Sequence, residues 1–471
     1  MFHSPSLHTI MNRIKRWYRI LIPVGISCSA LIFLGVHLRL VPDVQLFHLS
    51  EASLQIDSVS SLQSPDPIKS ETSTLPTGSA LSRPTTWQYD PLADAARYGL
   101  SYAQCSSAFS DLFKEIERSV AHRRRIGNVR PSDIDLGWKR ASVVKAMIYH
   151  QKLYILESKV FGSGYDSTRA LAILHQIDRA ITASPELLPD IEFSFSVDDI
   201  TDSAHAHHTI WSLSRLSIDE ETWLMPDFGY WSWPLELVGT YEQIRVEIKE
   251  NEARWEEKLP KVLWRGAVGT NKVRSVLLRA TRGKEWADVE QVKWKNRTDL
   301  SDGSTETAIS MAGHCAYQFL IHTEGRSYSG RGKYLLNCNS VVIMHKRKWI
   351  EPHHDLLVPS GPNQNFVEVE RDFSDLETKV EELLKDPQRA RRIASNSVAT
   401  FRDKNLTPAA QACYWRQLIR SWATVSFEPD GFEIIEGRKR LRGTPFETFA
   451  INALGMPQNT CSFWKKLTFQ C

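Results

Sequence analysis

The chain has 471 residues, 42% of them apolar, with 15 tryptophans, enough to bury more than one core; length alone favours roughly two to three domains. Its formal charge is only +3, and no basic stripe alternates with aromatic residues. Nothing here suggests a polyanion-binding protein, and nucleic acid is not expected as a partner.

Residues 1–19 contain Arg13, Lys15, Arg16 and Arg19, and an uncharged run from Ile20 to Val36 (ILIPVGISCSALIFLGV) follows. That run is near the short end of the ~17–25 residues that span a bilayer. The basic residues before it keep a cytosolic tail, 1–19, on the inner side. A cleaved signal peptide is the rival reading, opposed by the length of the run and by the lack of a clear small-x-small site after it. The expectation is a transmembrane signal anchor over 20–36 with type II, single-pass orientation. Residues 43–86, rich in Ser, Thr, Pro, Gln and Asp, read as a disordered stem. With no KDEL-type ending, the Golgi membrane is expected ahead of the ER.

From about residue 90, helical and strand patterns alternate. Leu100 to Arg125 carries an apolar stripe at helical spacing, and helices are predicted near 137–158 and 166–183. Ile191 to Val197 alternates strictly and predicts a strand. After a Trp-rich stretch over 211–234 come a helix at 240–256, a strand at Val262–Trp264, a helix near 272–281 and a strand near 288–294. A strand at Phe366–Val369 and helices at 374–385, 387–401 and 407–424 close the pattern. Such alternation predicts parallel sheets with crossovers, an α/β fold, with one Rossmann-like domain over 90–240, a second over 241–425 and a C-terminal tail over 426–471.

The densest signal lies at 310–345. Tyr317, Phe319 and Ile321 alternate with polar residues as a strand does, Tyr328-Ser329-Gly330-Arg331-Gly332 makes a small-residue loop, Lys333 to Leu336 starts a helix, and Val341 to Met344 is a buried strand. Free N–H groups at such a helix start suit a phosphate, and Arg331 adds a permanent charge. A solvated Gly-rich turn is the plain alternative. The same block, carried by His314, Cys315, Tyr317, Leu320, Gly325, Ser329, Arg331, Lys333, Leu335, Cys338, Ser340, Val341 and Val342, resembles the signature of glycosyltransferase family 90. That family holds Rumi-like and KDEL-motif protein O-glucosyltransferases and fungal capsule-associated xylosyltransferases. The resemblance covers roughly residues 97–425. It implies the GT-B architecture, two Rossmann-like domains with a cleft between them, the first on the acceptor side and the second binding a UDP-sugar.

Glycosyl transfer needs a base for the acceptor hydroxyl, a site for the departing diphosphate and a pocket for the nucleoside. Asp199, just after the strand at 191–197, is the base candidate, because carboxylates at strand C-termini face the crevice of open sheets. Glu192 to Asp199 also reproduces a family spacing, although Thr201 stands where the family often has Pro; Asp198 is the fallback. Asp198, Asp199 and Asp202 could instead bind a divalent metal as in GT-A enzymes. The metal-free route is preferred, with no cofactor required. Trp264-Arg265-Gly266 resembles the family's aromatic-Arg-Gly motif, so Arg265 joins Arg331 and Ser329 at the diphosphate and Gly266 admits backbone to the ligand. Arg274 is a weaker addition there and reads more readily as a solvated helix residue. Tyr328 could contact sugar or uracil, or simply pack. The segment Pro226 to Pro234 could line the acceptor cleft, where Trp and Tyr stack on sugars, or could pack between domains. His205, His207 and His208 have no fourth ligand, and His353-His354-Asp355 has no nucleophile to serve.

Cys28 lies in the apolar run, leaving six cysteines, a number suited to an oxidising compartment. Family members with both cysteines of the signature imply Cys315–Cys338. Cys105–Cys413 would tie the first helix to the last, and Cys461–Cys471 is left by elimination. Asn296-Arg-Thr298 and Asn405-Leu-Thr407 are glycosylation sequons. The resulting expectation is an inverting glycosyltransferase moving xylose or glucose from a UDP-sugar to a hydroxyl of a glycan or protein acceptor. A metal-dependent GT-A-like transferase and a non-catalytic glycan-binding relative are the alternatives.

Overall fold

The structure, a computed structural model, describes residues 87–161, 164–201, 208–233, 238–292 and 307–455. Two large sheets organise them. The first has six strands in the order Thr444–Pro445, Lys152–Ser158, Val143–Tyr149, Ile191–Ser196, Ile210–Ser212 and Thr222–Leu224. The second has five, in the order Ala287–Gln291, Leu259–Gly266, Tyr317–His322, Val341–His345 and Val367–Val369, and every pairing in it is parallel.

The first sheet corrects the predicted fold class. Where a helix was expected near 137–158, Val143–Tyr149 and Lys152–Ser158 form an antiparallel hairpin. His150 and Gln151 turn it at φ of 49° and 63°, the backbone that matches strand twist in a two-residue turn. The segments VVKAMIY and KLYILES are rich in branched and aromatic residues that suit a pleated surface. Two alternating strands in series imitated a helical period. Val143–Tyr149 also runs antiparallel to Ile191–Ser196, and only the pairings from Ile191–Ser196 through Ile210–Ser212 to Thr222–Leu224 are parallel. Two parallel Rossmann-like sheets of GT-B type are thus replaced by an α/β fold with one mixed and one parallel sheet.

The anchor and the localisation drawn from it are also corrected. Among the described residues no helix is long and apolar enough to cross a membrane, so the structure gives no support to single-pass anchoring or to a Golgi or ER membrane location. The run at 20–36 and the stem at 43–86 lie outside the described residues.

One apolar core serves both sheets, joining Val144, Phe193 and Trp211 of the first to Leu263, Leu320 and Val342 of the second. The other face of the second sheet packs Trp264, Phe319 and Ile343 against Val380 and Ile393 of the helices Leu376–Lys385 and Pro387–Ser397. The helix Pro408–Ala423 turns back onto the first sheet. Its Trp422 Nε1 donates to Glu192 O at 3.0 Å, and Trp415 Nε1 donates to Gln176 Oε1 at 3.2 Å. A disulfide between Cys105 and Cys413 fastens it to Tyr102–Phe109. A second, Cys315–Cys338, closes the segment that holds the small-residue loop. Beyond 426, Phe432–Ile435 and Arg438–Leu441 form a hairpin, and Thr444–Pro445 extends the first sheet along Lys152–Ser158.

Candidate active site

The parallel strands of the second sheet end at Gly266, His322 and His345, and loops after such ends form the ligand crevice of open sheets. The loop after His322 is held by two turns. Gly325 N donates to Tyr328 O at 3.1 Å, and Gly332 N donates to Ser329 O at 3.0 Å. The helix that follows, Gly332–Leu335, has four residues. Its dipole is correspondingly small, which puts more weight on side chains in holding an anion here.

Those side chains are arginines, and they differ. Arg265 is committed to the protein. Its Nη2 is 2.6 Å from Asp288 Oδ1, its Nη1 donates to Asp288 O at 2.8 Å and Trp264 O at 3.1 Å, and its Nε donates to Thr307 O at 3.0 Å. Burial resists the charge on Asp288, but hydrogen bonds from Tyr317 and Arg265 hold its carboxyl below the usual range. Arg331 instead donates to the carbonyl of Arg265. Arg274, 8% exposed, donates to Glu324 O at 3.0 Å and Ala267 O at 2.9 Å. Neither Arg331 nor Arg274 has a carboxylate partner among the described residues. Desolvation lowers both to about 10, and the charge of Arg274 adds to the effect on Arg331. Both stay cationic at neutral pH. His314 lies in the same field; burial and then Arg331 push it down to about 4. It is neutral, with Nδ1 donating to Ser310 O at 2.8 Å. A Cβ at Gly266 would sit 2.7 Å from the Trp264 indole, so packing against Trp264 explains that glycine.

The loop is pinned from the segment after Thr222–Leu224. Lys333 Nζ lies 2.7 Å from Asp227 Oδ2, both side chains almost fully buried, and also donates to Gly330 O at 2.7 Å. A Cβ at Gly229 would come within 2.6 Å of Lys333 Nζ, so this glycine clears the path of the lysine. The aromatic stretch therefore contributes a buried ion pair that packs it onto the small-residue loop, and its Trp233 lies beside that loop at Gly330. Pro234 lies outside the described residues.

Asp199 sits in the bend after Ile191–Ser196 with its side chain 31% exposed, 2.9 Å from Arg169 Nη1. Tyr328, 7% exposed, is the link between the two sets. Burial raises its phenol well above its ordinary value, and it lies in the fields of Asp227, Arg169, Glu351 and Asp199. The structure thus gathers Asp199, Tyr328 and, through Lys333 and Gly330, the loop of Ser329 and Arg331. It leaves Arg265 and Gly266 occupied with the protein.

Other candidates fall away or lie elsewhere. Asp202, His205 and His207 are outside the described residues, as are Asn296, Cys461 and Cys471. His208 Nε2 is 2.8 Å from Asp135. His353 and His354 are desolvated imidazoles pushed to about 3 and about 4. Asn405 is buried, its amide nitrogen donating to Thr400 O at 2.8 Å. Arg169 and Asp227 were not singled out from sequence, and Arg274 was set aside as a solvated helix residue. Arg169 and Arg274 look like ordinary polar positions of amphipathic helices, and only Asp227, inside the aromatic segment, carried any signal.

The family model described as glycosyl transferase family 90 matches residues 103–430. A protein described as O-glucosyltransferase rumi, from Drosophila pseudoobscura pseudoobscura, is 26% identical over 196 residues, 39% of this chain and 46% of the relative. The matched part thus spans less than half the length of that relative.

Proposed function

The chain belongs to glycosyltransferase family 90; from that premise we propose that it is a glycosyltransferase that moves xylose or glucose from a UDP-sugar to a hydroxyl of a glycan or protein, with inversion. Asp199 takes the proton of the acceptor hydroxyl. The oxygen attacks C1 of the sugar from the side opposite the diphosphate, the C1–O bond to the β-phosphate breaks, and the electron pair leaves with UDP. Arg331 and Arg274 hold the charge that develops there, the role for which electrostatic preorganisation is most effective. The observation that carries this reading is the pair of desolvated arginines with no carboxylate partner among the described residues, beside the small-residue loop. Unpaired cations in such a place call for an anion.

The test is UDP release by the full-length chain from a panel of UDP-sugars, with and without EDTA. Turnover of UDP-xylose or UDP-glucose that survives EDTA is the expected result. Loss with EDTA would move the reaction to a metal held by Asp198, Asp199 and Asp202. UDP binding without turnover on any sugar would mark a non-catalytic relative.

A further inference from the structure

Beside Asp199 lies an aromatic chamber whose polar atoms are not all used. Arg169, in the helix Gly164–Thr182, is 7% exposed. Its guanidinium carbon stands 4.3 Å from the ring centre of Tyr165, 4.5 Å from Phe228 and 5.8 Å from Trp233. A single nitrogen, Nη1, serves both Val197 O and Asp199 Oδ1, each at 2.9 Å. Arg169 Nε is buried with no partner among the described residues, and so is Trp233 Nε1. Buried N–H groups without acceptors are rare in folded proteins and need a reason. Trp233 also lies 3.5 Å from where a side chain on Gly330 would begin, so the chamber reaches from the carboxylate of Asp199 to the small-residue loop. Tyr165, 41% exposed and with its ring centre 6.2 Å from that of Trp233, is its accessible wall.

We propose that this chamber is the acceptor subsite and that it takes a sugar ring, so that the acceptor is a glycan. The inference rests on the reading of Asp199 as the base. The C–H groups on one face of a pyranose carry slight positive charge and fit the electron-rich face of Tyr165. Ring hydroxyl oxygens accept from Arg169 Nε and Trp233 Nε1, and a neighbouring hydroxyl gives its proton to Asp199. Two fixed N–H donors beside an aromatic wall match a rigid ring with several oxygens. A serine side chain on a peptide brings one oxygen and no ring.

The experiment uses the full-length chain, UDP-xylose and UDP-glucose, and two acceptor sets: methyl glycosides of common hexoses and pentoses, and serine-containing peptides. Methyl glycosides should stimulate UDP release and peptides should not. Tyr165→Ala should lower kcat/KM for the glycoside about tenfold or more, with UDP affinity by calorimetry nearly unchanged, because Tyr165 lies on the acceptor side and not at the diphosphate. Trp233→Phe, which keeps a ring and removes the N–H, should give a smaller loss of the same kind. Transfer to peptides alone, or glycoside transfer indifferent to both variants, overturns the inference. Saturation-transfer NMR of the methyl glycosides in the presence of UDP decides the case without turnover. Glycoside binding that disappears in Tyr165→Ala sustains the subsite even if no UDP-sugar is consumed, and absence of any such binding sinks it. Failure of UDP itself to bind or be released would instead count against the transferase reading.

Discussion

The strand Leu259–Gly266 of the second sheet and the small-residue loop each contain an arginine expected at the diphosphate, and the two have opposite fates. Arg265 makes four hydrogen bonds, to Asp288, Thr307 and Trp264, and pairs its charge with the Asp288 carboxylate. Among the described residues Arg331 donates to a single carbonyl, and it shares its surroundings with another cation, Arg274. Residue type and neighbourhood in sequence are the same kind of evidence for both. What separates them is whether the fold has already supplied the counter-charge. Taking a charge out of water is costly unless it is paired, so a desolvated arginine left unpaired beside a crevice is held for a ligand, and a paired one holds the sheet. The base side shows a third case. Asp199 is paired to Arg169 through one oxygen and remains 31% exposed, which leaves its other oxygen for an acceptor.

The largest effect should come from that free oxygen. Asp199→Asn keeps the shape and removes the proton acceptor, and transfer should fall by ~10²–10⁴ with UDP affinity by calorimetry nearly unchanged. Full activity in that variant, with Asp198→Asn inactive, would shift the base by one residue. Next is the buried pair that pins the loop. Lys333→Met leaves Asp227 charged and alone, which should lower the unfolding free energy by ~3–5 kcal/mol in urea titrations. Adding Asp227→Asn should restore part of it; a single variant as stable as the wild type would show that the pair is not what holds the loop.

The contrast between the two arginines is tested directly by replacing each. Arg331→Ala should weaken UDP binding by ~1.5–3 kcal/mol, the size of a charge-assisted contact, with little change in stability. Arg265→Ala should do the reverse, because it leaves Asp288 with Tyr317 as its partner and removes the side-chain tie between Leu259–Gly266 and Ala287–Gln291. Equal losses of UDP affinity in the two variants would break the comparison.

Why the sequence revealed one half better than the other has a physical basis. Strands buried on both faces, such as Val341–His345, are continuous apolar runs set between helices, and the parallel sheet could be read from them. The hairpin of Val143–Tyr149 and Lys152–Ser158 places apolar residues at spacings that also fit a helix, and only its turn at His150 and Gln151 distinguishes it. The small-residue loop was visible because its residues are contiguous. The partners that give it meaning are not: Asp227 meets Lys333 across 106 residues of sequence, and Asp199 meets Arg169 across 30. Arg274 is polar on a helix and reads as solvated until the backbone of Glu324 and Ala267 is folded over it.

The remaining prediction is a slope, and it concerns a charge that is kept off. Glu351 is 6% exposed. Burial pushes its carboxyl up to about 8, with Asp227 adding to the rise and Arg347 and Lys333 opposing it. In the unfolded chain the same group titrates near 4.5. Below 4.5 both states hold the proton and its contribution to stability is complete. Between about 4.5 and 8 the folded state keeps a proton that the unfolded state has released, so stability is lost as pH rises, by at most ~1.4 kcal/mol per pH unit. The histidines work in the other direction. His353 and His314, held near 3 and near 4, stay neutral in the fold while the unfolded chain takes up protons below about 6.5, so they cost stability as pH falls. Glutamine cannot ionise, and the difference between wild type and Glu351→Gln isolates the single group. Denaturant melts across pH 5 to 8 should show the variant gaining on the wild type as pH rises. Parallel curves for the two proteins would mean that Glu351 is ionised in the fold, with its charge carried by Arg347 and Lys333.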